Sequence, residues 1–542
     1  MPSDSRLSTV ERVLLPLAML LLVMAQYLNA LGRASFLLDD HRAIETQPDV
    51  TERAGLARLW GHAADPSQPE AVAQYRPLTV LSYQLTARLS APGHLEPKTF
   101  RWVNLVLLAL VGICTAWWLR WVVSPPMAWS ASFVLVAHPT NVEAINCISG
   151  RAELLAVLGL LIFALQQRWA IQNRRWTLWR GGAALLGAIL ALGASFTGLL
   201  LLPLALAQRW SGHKRRPLPP RRPTKGAAPR PRGPGEPAPQ VVAQPPPMLS
   251  AQQSHLVSVV TALVVAAALL AFATGRTLAL GGHGHAWPDP AAPRWGDLYP
   301  NPILELSWPG RIPVALGLAG LYARQLVWPD LSANLIPAEL PGWGSLSPWL
   351  GAAVIAAGLG ALAWAIRRRS WTLIPLALAG GHYLMVSQVL LVLPQYASNR
   401  LMLPFTLAAV ALLAAVMVTA AATLALSIWV VVLNTGFESD GQMIQADWER
   451  QLSNPTAIYR QALWLADHAG NFDKACDHLN EALACRPGSV QARLTLAEME
   501  LHRGNRERAA SLYREVLAEH PGDSRALAGL EQMHAQDAPP GP

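Results

Sequence analysis

The chain has 542 residues, 52% of them hydrophobic and only 14% charged, with a formal net charge of +9. Soluble domains carry about 25% charged residues, so this composition excludes an ordinary soluble globular protein and points to a polytopic membrane protein. The positive excess is local: nine Lys/Arg stand against one acid between Arg209 and Pro247, in a Pro-rich stretch with no aromatic after Trp210. Such a segment cannot build a core and reads as a disordered cytoplasmic loop, so no nucleic-acid partner is expected.

In chain order, the first apolar run spans about Val13 to Leu31, with Arg6 and Arg12 ahead of it. It is long and lacks a small-residue cleavage site, so it reads as an anchor with a cytoplasmic N-terminus. Residues 32–101 form a polar, extracytoplasmic loop whose apolar stretches are expected as interfacial helices. Two spans follow with Arg120 at their inner turn, and HPTNVEAINCISGRAELLA, from His138, falls at the outer turn before the fourth. The run from Gly181 to Ala207 is too long for one straight span; a pair of short helices turning near Phe196 and Thr197 returns the basic loop, 208–253, to the inside. A further span covers about Leu256 to Gly275, and 276–347 forms a second large extracytoplasmic loop with one apolar helix, Val314 to Trp328, that is interfacial, re-entrant or a true span. Arg367, Arg368 and Arg369 mark the inside again; one span follows in Trp371–Leu393 and two in Leu401–Leu433. The count is about eleven, which places the C-terminus outside.

The C-terminal part changes character. GNFDKACDHLNEALACRPG starts at Gly470 and GNRERAASLYREVLAEHPG at Gly504, an offset of 34 that keeps Gly, Asn, Ala475/Ala509, Leu479/Tyr513 and Pro487/Pro521 in step. Small residues where helices cross and Pro at the repeat end, at this period, are the tetratricopeptide pattern. Residues 437–535 are therefore expected as a short α-solenoid that holds a peptide or protein in its groove, with 536–542 as a disordered tail. The four cysteines are too few for a disulfide framework, and Cys476 and Cys485 point to roughly opposite faces of one helix.

Few residues offer chemistry. Asp39-Asp40, just beyond the first span, can act as a general base or hold a cation; solvated loop acids or a helix cap are the plainer alternative. Pro139 ends the third span, and the short loop after it aims Glu143 and Arg151 at one outer face. There they meet a phosphate, for which Arg is suited, or pair with each other and pin the turn. His283 and His285 lack further ligands nearby, so no metal site is expected. No phosphate-binding loop, dinucleotide fingerprint, GxSxG or HExxH motif occurs.

FLLDDHRAI (36–44), YRPLTVLS (75–82), FRWVNLVLLA (100–109), HPTNVEAINCISGRAELLA (138–156), DLYPNPI (297–303) and YARQLVWPDLSANLIP (322–337), with a terminal tetratricopeptide array, occur in this order. In this the chain resembles the transmembrane and tetratricopeptide-repeat-containing protein O-mannosyltransferases and their bacterial relatives. The resemblance implies an all-α polytopic fold of the GT-C type over residues 1–436. It implies inverting transfer of a sugar, mannose by analogy, from a polyprenyl-phosphate donor to Ser/Thr of exported proteins recruited by the repeats. Asp39 would be the general base and Asp40 its support; Glu143, Arg151, His138, Arg76 and Arg400 would bind substrate, Arg151 at the phosphate. No cofactor is required, because phosphate is already a good leaving group; a divalent cation is left open. The implied location is a bacterial inner membrane, with the repeats outside. Three departures stand out: Ser195-Phe196-Thr197 replaces the family's Ser-Lys-Glu, Asn334 replaces an Asp, and QYASNRLMLP only loosely matches the segment around Arg400. The alternatives are a non-catalytic scaffold that binds partners through its repeats, which the lost Lys-Glu pair favours, and a transporter, which the long outer loops fit poorly.

Overall fold

The computed structural model describes residues 9–32, 35–37, 40–45, 47–51, 59, 75–90, 95–173, 175–211, 251–279, 303, 306–329, 340–389, 393, 397–414, 420–434, 454–521 and 523–537. Asp39, His283, His285, Asn334 and most of the basic Pro-rich segment lie outside them. Among the described residues there is no strand, only helices joined by short turns. The chain is an all-α polytopic protein.

The membrane part runs α1 (Leu15–Gly32), α2 (Pro77–Ala87), α3 (Pro97–Leu119), α4 (Pro125–Ala137), α5 (Asn141–Asn146), α6 (Arg151–Asn173), α7 (Leu178–Ala194) and α8 (Leu201–Ser211). It continues with α9 (Ala251–Ala279), α10 (Trp308–Val327), α11 (Leu346–Arg368), α12 (Leu373–Val386), α13 (Leu403–Leu413) and α14 (Ala420–Asn434). Among the described residues, five helices are long and apolar enough to cross a membrane: Val10–Leu31, Pro97–Leu119, Ile148–Asn173, Val257–Thr274 and Leu346–Arg368. Five shorter apolar helices accompany them, ten in all among the described residues against the expected count of about eleven.

Burial orders the bundle. The apolar window of α6 is 89% buried and that of α11 only 11%, so α6 is the axis and α11 the rim. Small residues let α7 approach α6 closely: a Cβ on Gly159 would lie 2.6 Å from both Ala191 N and Gly187 O, and one on Gly187 2.8 Å from Gly159 O. This is how helices associate in lipid, where no hydrophobic drive separates one apolar face from another.

The expected turn in 181–207 is present as a tight turn at Phe196–Leu200 between α7 and α8. Ser195 caps it by accepting the Thr197 N–H. Gly198 closes it, because a Cβ there would sit 2.3 Å from Ala191 O.

Two expectations shift. Helix α3 starts at Pro97 rather than after Arg101, because Pro at the first helical position is preorganised for it; Arg101 thus lies inside the apolar helix. Helix α2 does not lie apart from the bundle: Thr79 Oγ1 donates to Ala194 O at the end of α7, and its Val80 and Tyr83 are buried with Phe36, Phe100 and Ile148.

The bundle has two distinct ends. At one, Arg120 pairs with Glu11 at 3.0 Å, Arg180 stacks on Trp169 and Trp179, and Trp210 Nε1 donates to Ile366 O beneath Arg369. At the other lie the ends of α1, α4 and α7 and the starts of α3, α6 and α13, with the buried acids between them. Gln26 and Asn29 on α1 bond Ser427 and Val431 on α14 at 2.7 and 3.0 Å. The two helices therefore run parallel, and the chain leaves the bundle at the end that holds those acids.

The C-terminal solenoid comprises α15 (Pro455–Ala469), α16 (Phe472–Cys485), α17 (Val490–His502), α18 (Arg506–Glu519) and α19 (Ser524–Asp537). Gly470 and Gly504, 34 apart, turn the chain between helices at φ of +58° and +84°, where a Cβ is disfavoured. Ala475, Leu479, Ala509 and Tyr513 are buried at the helix crossings, and Tyr513 packs against Gly529, whose Cβ would be 2.4 Å from its ring. Cys476 is buried and Cys485 exposed.

Gly159→Leu is expected to force α6 and α7 apart and destabilise the bundle by about 1–3 kcal/mol. The check is thermal unfolding in detergent, with Gly358→Leu, which meets nothing within 4 Å, as a silent control.

Candidate functional site

The site is built around the segment from His138 to Glu153. His138 is extended (ψ 130°) ahead of Pro139, as the residue before a proline must be, and this ends α4. After α5, a single turn at Ile148–Gly150 leads into α6. Gly150 is needed there because a Cβ would lie 2.5 Å from Ala144 O. The chain doubles back on itself and leaves the N–H groups of Ile148 and Ser149 pointing outward.

Asp40 fills that position. It is fully buried; its Oδ2 accepts from Ile148 N at 2.8 Å and Leu37 N at 3.2 Å, and its Oδ1 from Ser149 N at 2.7 Å. Burial pushes the carboxyl up to about 6, while the N–H donors pull it back. It clamps the segment after α1 to the start of α6. Its neighbour Asp39 is outside the described residues.

Glu143 is also buried. Its Oε1 accepts from Ser398 Oγ at 2.5 Å and its Oε2 from Asn399 N at 2.7 Å; Arg400 Nε lies 3.5 Å away. Burial pushes its carboxyl up, and Arg400 with the three donors of the 398–400 turn opposes this. Arg400 Nη1 donates to Ser149 Oγ at 3.0 Å. Asp40, Ser149, Arg400 and Glu143 thus form one continuous polar chain, contributed by three distant parts of the sequence. Arg76, half-buried at the N-cap of α2, lies about one helical turn before Thr79, whose Oγ1 donates to Ala194 O at the end of α7.

Arg151 is placed differently from the expected phosphate contact. It is fully buried, and its guanidinium donates to Asn104 Oδ1 (2.7 Å), Thr86 Oγ1 (2.8 Å), Ser82 O (3.1 Å) and Phe100 O (2.8 Å). The rings of Tyr83 and Phe100 lie against it at 5.0 and 5.5 Å. Nor does it pair with Glu143; it ties α2 and α3 to the start of α6. His138 joins α4 to α10: Thr140 Oγ1 donates to its Nδ1 (2.8 Å) and its Nε2–H to Leu326 O (3.1 Å).

Sequence reasoning left out several participants. Arg101 donates to Asn146 O, Ala30 O and Ser35 O at 2.9–3.1 Å, and so holds the ends of α1 and α5 together. Its signal was an ionisable group inside an apolar helix. Glu153, two residues beyond Arg151 and facing the other way, accepts from Ser195 Oγ (2.5 Å) and Thr197 Oγ1 (2.6 Å). Ser149 and Ser398 carried no sequence signal. Among the described residues, no group of three or more His, Cys, Asp or Glu could hold a metal ion.

Comparison with known proteins gives one family model and several relatives. The tetratricopeptide repeat family model matches residues 468–533. The chain is 34% identical over 195 residues to protein O-mannosyl-transferase Tmtc1 of Drosophila melanogaster, covering 33% of this chain and 21% of that protein. It is 32% identical over 148 residues to protein O-mannosyl-transferase TMTC2 of Homo sapiens (26% and 17%). Against TMTC3 of Homo sapiens it is 31% identical over 144 residues (26% and 15%). The chain spans about a fifth or less of the length of these relatives. No solved structure matches it.

Asp40→Asn keeps the shape but turns one acceptor into a donor that faces backbone N–H groups. The expected loss is about 1–3 kcal/mol, seen as a lower unfolding midpoint of the full-length protein; an unchanged midpoint would mean that the carboxylate does not hold the turn. For His138, burial pushes the imidazole down to about 4, against an ordinary value near 6.5. Between these values the unfolded chain binds the extra proton, so stability falls as pH drops from about 6.5 towards 4. Measured as unfolding midpoints against pH, His138→Asn should remove up to about 3 kcal/mol of that slope.

Proposed function

We propose that the chain is a membrane glycosyltransferase that transfers mannose from a polyprenyl-phosphate donor to Ser or Thr of exported proteins. The observation that carries the reading is the buried polar chain Asp40–Ser149–Arg400–Glu143 at one end of an apolar bundle. Buried ionisable groups in a membrane protein are retained where they face a substrate or a pathway. The names of the relatives, protein O-mannosyl-transferases, supply the reaction class.

In this reading Asp39 is the general base. It removes the proton of the acceptor hydroxyl while that oxygen attacks the anomeric carbon from the face opposite the phosphate. The bond from the anomeric carbon to the phosphate oxygen breaks, its electron pair leaves with polyprenyl phosphate, and the configuration inverts. Asp40 supports the base in this reading and is itself held by three N–H contacts. Arg400, held by Glu143 and Ser149, and Arg76 meet the phosphate charge that develops on departure. Arg151 and His138 position these groups and are not given to substrate. Phosphate leaves readily, so the reaction as proposed draws on no metal.

The solenoid follows α14, whose C-terminal end lies with the site, so an acceptor bound in its groove is on the side where transfer takes place. The positive-inside rule supports a cytoplasmic side for the cationic end of the bundle and hence an outer side for site and repeats; the membrane proposed is a bacterial inner membrane.

Membranes supplied with labelled polyprenyl-phosphate mannose should pass label to protein with wild type. Asp39→Asn should lower the rate by at least about 100-fold; Arg400→Gln should raise the donor KM by about tenfold or more. Equal transfer by wild type and Asp39→Asn would remove Asp39 as the base. No transfer with either would give precedence to a partner-binding scaffold, whose binding should tolerate Asp39→Asn.

A further inference from the structure

Helix α10 has the length of a span, 20 residues, yet it is not among the described helices that are long and apolar enough to cross. The helices on either side fix where it can lie. Near the start of α9, Val257 O accepts the Trp176 indole N–H at 3.4 Å, at the cationic end of the bundle. Farther along α9 the Phe272 ring lies 5.6 Å from Tyr75, which directly precedes the N-cap of α2 at the acid-bearing end. Helix α11 runs the other way and finishes at the cationic end, where Ile366 and Arg369 meet Trp210. The chain that carries α10 thus leaves α9 and enters α11 at the same end, and a single crossing between them would reverse this.

The contacts of α10 stay at that end throughout. Ala315 O accepts from the Tyr383 hydroxyl at 2.8 Å, near the end of α12, where His382 also bonds Leu401 O. Gly317 and Gly320 lie against Ser347 and Gly351 in the first turns of α11. The Tyr322 ring stacks on Phe405 at 5.2 Å, Leu326 O accepts the His138 Nε2–H, and Trp328 meets Trp429, near the end of α14, at 5.3 Å. From Ala315 to Leu326 a helix advances about 17 Å, more than half of a ~30 Å hydrocarbon layer. Every one of these partners nevertheless sits within about two helical turns of the acid-bearing end. Helix α10 therefore lies across the bundle rather than along it. Its Val314, Leu318 and Tyr322 are buried with Leu401 and Met402, the residues that follow Arg400, while Trp308 and Trp328 are exposed at its two ends.

We propose that α10 is an interfacial helix whose outward face rests in the phospholipid headgroup layer and whose inward face roofs the turn that presents Arg400. Tryptophan settles at this depth because it joins an apolar ring to one N–H donor, and one stands at each end of α10. A spanning helix would set the two at opposite surfaces. The inference is independent of the reaction proposed above.

The test uses the purified full-length protein carrying Cys114→Ser and Cys485→Ser, which leaves the buried Cys147 and Cys476, in sealed phosphatidylcholine vesicles. Trp308→Cys and Val327→Cys, both at exposed positions, are combined in one chain and treated from outside with a membrane-impermeant maleimide. Each molecule should take up two labels or none, whichever way it is inserted; one label per molecule would mean that α10 crosses, and the proposal falls. A bimane on Leu316→Cys, midway along α10, then reports depth. It should lie about 5–10 Å below the headgroups and be quenched more by a doxyl group near the headgroup than by one near the chain end. A depth near the midplane, about 15 Å, overturns the proposal. So does quenching by aqueous iodide with neither lipid quencher effective, which would put this face in water. If Leu316→Cys does not fold, the label count of the double variant decides alone.

Discussion

The carboxylate of Asp40 is the contact on which the rest of the acid-bearing end of the bundle depends. It joins the chain just after the first helix to the chain just before α6 through three backbone donors. A charged acceptor bonded to several N–H groups is among the stronger local constraints available to a protein, and it costs most when one side is removed. Because Ser149 is one of the two residues held from the far side, its hydroxyl is presented to Arg400. Because Arg400 is held there, Glu143 can anchor the turn at 398–400. Each bond fixes the donor or acceptor of the next.

Two arginines support this arrangement from within the apolar layer. Arg101 and Arg151 are nearly or fully buried and spend their donors mainly on backbone carbonyls and hydroxyls around helix ends. A buried guanidinium with its donors satisfied satisfies several otherwise orphaned carbonyls at once, and the planar fork fixes their relative geometry. These two residues act as internal fasteners.

Much of this was legible in the sequence and some was not, for physical reasons. The helical membrane class, the 34-residue repeat and the turn near Phe196 follow from length, apolar runs and small-residue spacing, which are local properties. The gathering of Asp40, Glu143 and Arg400 was anticipated only through resemblance, since 255 or more residues separate Glu143 from its partners at Ser398 and Asn399. Arg151 illustrates the limit. An arginine beside a glutamate at a membrane edge reads as a ligand contact, and spacing along the chain says nothing about Asn104, Thr86 and Phe100 closing around it. Glu153 was visible as a charge in an apolar run, but its partners are hydroxyls on another helix turn. Serines and threonines do not announce a role by type.

The close approach of Gly159 and Gly187 bears on motion as well as on packing. Two helices in backbone contact have no slack to slide or splay, so α6 and α7 move as one body. Glu153 begins the first of them and Ser195 ends the second. Whatever rearrangement the more exposed rim helices undergo, this carboxylate travels with its hydroxyl donors and never has to be desolvated anew.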